Sequence, residues 1–207
     1  MWGLYIAGIW TVLSLLVAAT LGTWVLIAAI AALILAWAYS APPFRLKRNG
    51  WWGNAACGFS YESLAWITGA AAMLGGILPP AQVLVIAILY GIGAHGIMTL
   101  NDFKAIKGDR EMGINSLPVM LGPDRAAQVA CAIMAAPQFV VIALLLFWGQ
   151  PIEAGIVVLL LIGQLVMMRR FVRAPVAQAT WYSGIGVPLF VFGMMASAVA
   201  VRVFAAA

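Results

Sequence analysis

The sequence predicts an all-α fold, a polytopic transmembrane helix bundle of about seven spans. Three observations carry this: 65% of the 207 residues are apolar, only 8% are charged, and the charges sit in short clusters separated by long uncharged stretches. A soluble domain carries roughly 25% charged residues. Eleven basic and six acidic side chains are too few to coat a water-exposed surface of this length, and the mean hydropathy is +1.06. Soluble enzymes, secreted disulfide scaffolds, disordered chains and free nucleic-acid binders are excluded. The net charge of +5 would suit a polyanion only if the cations were spread over a surface, and they are confined to three loops.

An ion at mid-bilayer costs several kcal/mol, so uncharged intervals locate the spans. Residues 1–44 contain no charge, and as one helix they would run about 66 Å against a hydrocarbon core of about 30 Å. Two spans are required, near 4–21 and 24–41, with the break at Leu21-Gly22-Thr23. The interval from Ser63 to Asn101 poses the same problem. Gly75-Gly76-Ile77-Leu78-Pro79-Pro80 divides it into spans near 54–74 and 81–100. Segments near 126–148, 152–168 and 182–204 complete the seven, with Gly149-Gln150-Pro151 as the turn before the short sixth. The whole chain, 1–207, reads as a single transmembrane domain.

The loops alternate in charge. Arg45, Lys47 and Arg48 lie in the second, Lys104, Lys107, Arg110 and Arg125 in the fourth, and Arg169, Arg170 and Arg173 in the sixth, which is ten of the 11 basic residues. By the positive-inside rule that face is cytoplasmic, with the N-terminus inside and the C-terminus outside. No basic flank or cleavage site marks a signal peptide. Cys57 and Cys131 fall within spans without ligand spacing and read as packing residues. Gly91-Ile-Gly93-Ala-His95-Gly96 matches G-x-G-x-x-G by letter, but the fingerprint needs a strand before it and a loop open to pyrophosphate. Inside a lipid-depth segment, small residues at such spacing serve close helix approach. Trp2, Trp24, Trp51, Trp52, Trp148 and Trp181 fall near span ends, as an interfacial aromatic belt requires.

The chemistry concentrates in the fourth loop, Asn101-Asp102-Phe103-Lys104-Ala105-Ile106-Lys107-Gly108-Asp109-Arg110-Glu111-Met112-Gly113. Asp102 and Asp109 are seven apart, so a continuing helix would place them on one face with about 20° of drift. Carboxylates alone repel phosphate, but Mg²⁺ between them inverts the sign, since that ion takes one or two carboxylates together with phosphate oxygens and water. The second loop, from Tyr39 through Arg45, Lys47 and Arg48, adds cations and hydroxyls at the same membrane face. Arginine grips phosphate bidentately and lysine acts as a point charge. An apolar bundle with such a mouth suits a prenyl diphosphate, head in the polar end and tail among the helices. Solvation of an ordinary charged loop is the competing reading of the same residues.

These residues also resemble a known family. Asn101-Asp102-Phe103-Lys104 through Gly108-Asp109-Arg110 and Ser116-Leu117-Pro118-Val119 look like the second aspartate-rich motif of the bacteriochlorophyll synthase branch of the UbiA superfamily of intramembrane prenyltransferases. Tyr39-Ser40-Ala41-Pro42-Pro43, Arg45-Leu46-Lys47 and Gly50-Trp51-Trp52-Gly53 resemble its preceding signature loop, and Trp181-Tyr182-Ser183 with Gly193-Met194-Met195 its C-terminal end. The likeness runs along essentially the whole chain. It implies nine transmembrane helices and a first motif, N-D-x-x-D-x-x-x-D, ahead of the first span here. The seven spans would then correspond to family helices three to nine of a chain truncated at its N-terminus.

By this resemblance the reaction is Mg²⁺-dependent transfer of a geranylgeranyl or phytyl group from its diphosphate to the propionate carboxylate of bacteriochlorophyllide, in the bacterial inner photosynthetic membrane. Asp102 and Asp109 would hold the metal and serve catalysis. Arg45, Lys47, Lys104, Lys107, Arg110 and Tyr39 would bind the diphosphate, and His95, Glu62 and Asn101 the acceptor. The acceptor is already a carboxylate at neutral pH, so no strong general base is required. His95 equally suits packing against a neighbouring helix, and Glu62, an acid inside the third span, equally suits snorkelling to the interface. The partners are the diphosphate donor, the tetrapyrrole and membrane lipid, with no nucleic acid. The competing class is a non-catalytic pigment- or lipid-binding membrane protein. A transporter fits less well, for want of paired broken helices in inverted repeats, and the last span has no lysine to carry retinal.

Overall fold

The structure is a computed structural model that describes residues 2–205, so a start at Met1 lies outside the described residues. It contains ten α-helices: α1 (Trp2–Leu21), α2 (Thr23–Ser40), α3 (Gly50–Gly58), α4 (Ala65–Met73), α5 (Ala81–Asp102), α6 (Ile106–Glu111), α7 (Leu117–Leu121), α8 (Pro123–Phe147), α9 (Pro151–Arg173) and α10 (Pro175–Ala205). Six of these, α1, α2, α5, α8, α9 and α10, are long and apolar enough to cross a bilayer. The remaining span is composite, because α3 runs through a π-helical segment, Phe59–Leu64, directly into α4. The fold class is the expected polytopic helical bundle, and the breaks at Gly22 and at 74–80 fall where the sequence places them.

Two boundaries differ from expectation. The sixth span is 23 residues long because Arg169, Arg170 and Arg173 remain helical. Arginine is a good helix former, and cations complement the negative end of the helix dipole. The seventh begins at Pro175 and runs for 31 residues, proline being preorganised for a first helical position. Ala174 alone separates the two helices, so the expected sixth loop is one residue and its arginines belong to α9.

Helix α5 is the axis of the bundle, with Ile86, Ala87, Tyr90, Ala94 and Leu100 all buried. The glycines of the rejected fingerprint lie in the middle of this helix. A methyl on Gly91 would overlap Ser63 of the π segment, one on Gly93 would press into the Phe190 ring, and one on Gly96 would meet the Ala130 carbonyl and Met134. They serve close packing. The π segment answers a related demand. Gly58 lies against the backbone of Gly91 and His95, and Ser63 Oγ donates to the Ala87 carbonyl at 3.0 Å. Residues five apart sit about 140° apart on an α-helix, whereas i→i+5 bonding draws them towards one line, so both can face α5. Polar pairs tie the other helices together: Gln138 Nε2 donates to Gln164 Oε1 at 2.6 Å, and the Tyr90 and Ser197 hydroxyls lie 2.9 Å apart. By contrast α1 and α2 bury little beyond Ala18, Val25 and Ala28, and present their apolar side chains outward, as lipid-facing helices do.

Contacts between turns settle which ends coincide. Gly22 and Gly76 meet backbone to backbone, and the Trp24 amide donates to the Gly76 carbonyl at 3.2 Å. At the opposite end, the Gly50 amide donates to the Asn115 carbonyl at 2.7 Å and the Asn115 amide to the Arg48 carbonyl at 2.9 Å. The Phe103 ring, just past α5, packs on Phe171 near the end of α9 at 5.4 Å between centroids. The three basic clusters therefore share one end of the bundle.

Gly76 has φ +87° and no room for a side chain, whereas Gly69 has nothing within 4 Å of an added methyl. Gly76→Val should combine an overpacking cost of about 1–3 kcal/mol with left-handed strain of about 1–2 kcal/mol. Gly69→Ala, in the interior of α4, should gain about 0.5–1 kcal/mol. Thermal unfolding of the detergent-solubilised protein checks both, the first variant melting several degrees lower and the second no lower than the parent.

Candidate active site at the charged end of the bundle

The charged end is assembled by backbone before any side chain acts. Chain 41–49 leaves α2, passes Arg45 in the left-handed region (φ 45°), makes a 3₁₀ turn at Leu46–Arg48 and starts α3. Asn49 caps that helix, its Oδ1 accepting from the amides of Trp51 (2.9 Å) and Trp52 (3.2 Å). A methyl on Gly50 would lie 2.5 Å from the Leu117 nitrogen, so only glycine lets the second loop dock on the fourth. The paired strandlike contact Asn49 to Asn115 is the result. Two segments singled out in the sequence, Gly50-Trp51-Trp52-Gly53 and Ser116-Leu117-Pro118-Val119, are thus in direct contact.

Asp102 is the last residue of α5 and is half-buried. Its Oδ2 accepts from Asn54 Nδ2 at 3.1 Å, and the same nitrogen donates to Thr99 Oγ1 at 3.1 Å. The helix does not continue to Asp109 as the seven-residue spacing supposes. Phe103 is buried against Phe171, which bends the chain at the membrane surface. The Lys104 and Ala105 amides close on the carbonyls of Asn101 (3.3 Å) and Asp102 (3.0 Å), and the Asp109 amide bonds Ala105 within a new helix. A straight extension would carry Asp109 about 10 Å further out. After the turn it is 7% exposed, with no side-chain hydrogen bond among the described residues.

The cations are placed differently. Lys104, Lys107 and Arg110 are exposed and line a cavity of about 650 Å³ with Ile106, Glu111 and Val176. Neither Asp102 nor Asp109 lines it. Arg45, Lys47 and Asn101 are also exposed. Tyr39, one residue from the end of α2, lines a cavity of about 370 Å³ with Cys57, Ser60 and Tyr61.

His95 lies two turns before Asp102 on the same helix and is 8% exposed. Its Nε2 lies 3.1 Å from the Trp51 carbonyl oxygen, so that nitrogen carries the proton and donates, leaving Nδ1 without a partner. The ring rests on Trp51 and closes a largely apolar cavity of about 640 Å³. Glu62 sits in the π segment facing a cavity of about 330 Å³ with Trp66, Met194 and Met195. About 18 Å of helix separates it from Gly50, too far for a glutamate to snorkel to the charged end.

Asn54 and Thr99 are absent from the sequence-derived set. The available signal was an asparagine inside a span, expensive in hydrocarbon unless it has partners. The chemistry supported by this end is that of two acidic side chains from separate helices, one pinned by a neutral amide. That donor set fits Mg²⁺, which needs few protein carboxylates. Among the described residues no three His, Cys, Asp or Glu side chains come together, so phosphate oxygens and water would complete the coordination of any ion.

An intramembrane helical bundle with carboxylates at a cationic mouth is the architecture defined so far, and comparison with known proteins gives its family. Residues 3–194 match the UbiA prenyltransferase family. The chain is 53% identical over 201 residues to the bacteriochlorophyll synthase 33 kDa chain of Cereibacter sphaeroides, covering 97% of this chain and 66% of that one. With its counterpart in Rhodobacter capsulatus it is 48% identical over 206 residues, covering 99% and 68%. With the chloroplastic chlorophyll synthase of Arabidopsis thaliana it is 40% identical over 168 residues, covering 81% and 43%. A solved chain from work on digeranylgeranylglyceryl phosphate synthase in membranes superposes with a TM-score of 0.74 at 18% identity, over 94% of this chain and 68% of that one, a likeness of fold. The chain belongs to the UbiA prenyltransferase family, a family of membrane enzymes, on its bacteriochlorophyll and chlorophyll synthase branch. It spans about two thirds of the length of the two bacterial relatives.

The opposed placement of acids and cations is open to chemical labelling. With Cys57 and Cys131 replaced by alanine, Lys107→Cys should react readily with a membrane-impermeant maleimide, while Asp109→Cys should react much more slowly, read by mass shift against time.

Proposed function

We propose that this chain carries out Mg²⁺-dependent transfer of a geranylgeranyl or phytyl group from its diphosphate to the propionate carboxylate of bacteriochlorophyllide. The observation that carries this reading is the placement of Asp102 and Asp109 at one end of an apolar bundle, the first held by Asn54 and the second mostly buried. The names of the bacterial relatives point to the same acceptor class. In this reading the charged end faces the cytoplasm of a bacterial photosynthetic inner membrane, an orientation that the excess of Lys and Arg there supports.

In this reading a bound Mg²⁺ would supply charge neutralisation for the departing diphosphate. Asp102 and Asp109 would hold that ion at the mouth, and Arg45, Lys47, Lys104, Lys107, Arg110 and Tyr39 would supply donors to the phosphate oxygens as the head enters from the cytoplasmic side. The allylic carbon–oxygen bond breaks with its electron pair leaving on diphosphate, and a carboxylate oxygen of the acceptor forms the ester bond to that carbon. No proton changes place, so the site needs no base and His95 is free to orient the acceptor. In this reading His95 and Glu62 would contact the acceptor from two separate cavities, and Asn101 from the exposed charged end. The apolar helices take the isoprenoid tail and keep water from the reacting carbon.

Purified protein in detergent or nanodiscs, given geranylgeranyl diphosphate and bacteriochlorophyllide, should release diphosphate and form the ester. EDTA should stop the reaction and added Mg²⁺ restore it. Asp102→Asn and Asp109→Asn should each lower the rate about 10²–10³-fold, the scale of losing a main electrostatic stabiliser. Tetrapyrrole binding that persists in EDTA, with no diphosphate released by the parent, would instead identify a pigment-binding protein without turnover.

A further inference from the structure

Asn54 sits on α3 one turn inside the seam between the two charged loops and is 9% exposed. Both of its amide hydrogens are assigned by their surroundings. Thr99 Oγ1 donates its own proton to the His95 carbonyl at 3.0 Å, so towards Asn54 it can only accept. The Asp102 carboxylate likewise only accepts. Both contacts, each 3.1 Å from Nδ2, therefore require the NH₂ group, and a flipped amide would set oxygen against oxygen at two places. Thr99 acts as the lock that keeps this amide turned towards Asp102.

We infer that Asn54 is a positioning residue that, with Thr99 fixing its amide, holds Asp102 Oδ2 so that Oδ1 is presented to a divalent cation shared with the diphosphate. The inference rests on the metal-dependent reading proposed above and adds to it the group that orients the ligand. A lysine or arginine in this place would also pin the carboxylate, but its positive charge would compete with the cation for it. A neutral amide removes rotational freedom from the carboxylate while leaving its full negative charge available. Outer partners of metal ligands act in this manner, fixing orientation without touching the metal.

The test is Mn²⁺ binding, followed by loss of the free-ion paramagnetic resonance signal, on the full chain in detergent with the unreactive analogue geranylgeranyl thiolodiphosphate present. Asn54→Leu keeps the approximate shape and removes the donor. It should weaken Mn²⁺ binding about 10–100-fold, the usual cost of losing such a partner, at an unchanged melting temperature. Thr99→Ser, which keeps the acceptor hydroxyl, should bind as the parent does. Normal Mn²⁺ affinity in folded Asn54→Leu, with the parent binding tightly, overturns the inference and leaves the proposed function standing. Failure of the parent to bind Mn²⁺ with the analogue overturns the metal reading itself, and this inference with it. If Asn54→Leu does not fold, Thr99→Val is read in its place. Weakened binding supports the role of the lock, and unchanged binding overturns it.

Discussion

The structure of the charged end depends on one contact, the backbone seam in which Gly50 and Asn115 exchange amide and carbonyl with their neighbours across two loops. Loops at a membrane surface have no obligation to meet, since water can satisfy their polar groups. Here Gly50 gives up its side chain so that backbone can approach Leu117 and Ser116. That approach sets the start of α3 against the end of α5, and the rest follows over a single helical turn: Trp51 reaches His95, and Asn54 reaches Thr99 and Asp102.

The same end separates its charges by depth. The carboxylates turn inward, Asp109 almost fully buried and Asp102 half so, while Lys104, Lys107 and Arg110 turn outward around a separate cavity. The bend at Phe103 produces this arrangement. Three cations interleaved with two acids in sequence would, on a straight helix in water, form ordinary exposed pairs worth little. The turn before the short α6 leaves the residue at 109 mostly buried and the bases exposed.

Much of the fold was legible because hydrocarbon tolerates so few charges. Uncharged intervals, three glycine turns and the alternation of basic loops marked the spans, and Gly22, Gly76 and Gly149 close turns with positive φ. The limits of α9 and α10 were not legible, since arginines at a helix end read equally well as loop. The site was half legible. Asp102 and Asp109 were singled out by spacing, but the spacing assumed a continuing helix whereas α5 stops at Asp102, and burial of Phe103 against a residue 68 positions later cannot be seen locally. Asn54 was missed for a related reason: an asparagine in a span signals that it has partners, but those partners lie 45 and 48 residues away.

The π segment of the third span has a consequence for how such a protein can change. A π turn absorbs one extra residue within an otherwise α-helical rod, so the flanking stretches α3 and α4 keep the faces they would have without it. Loss of one position between 59 and 64 would straighten the rod, withdrawing Tyr61 and Glu62 from their cavities while leaving the Asn54 end seated on α5. Wall and mouth are therefore separable in evolution: the lining of the membrane-depth cavities can drift by insertion or deletion without disturbing the acidic end.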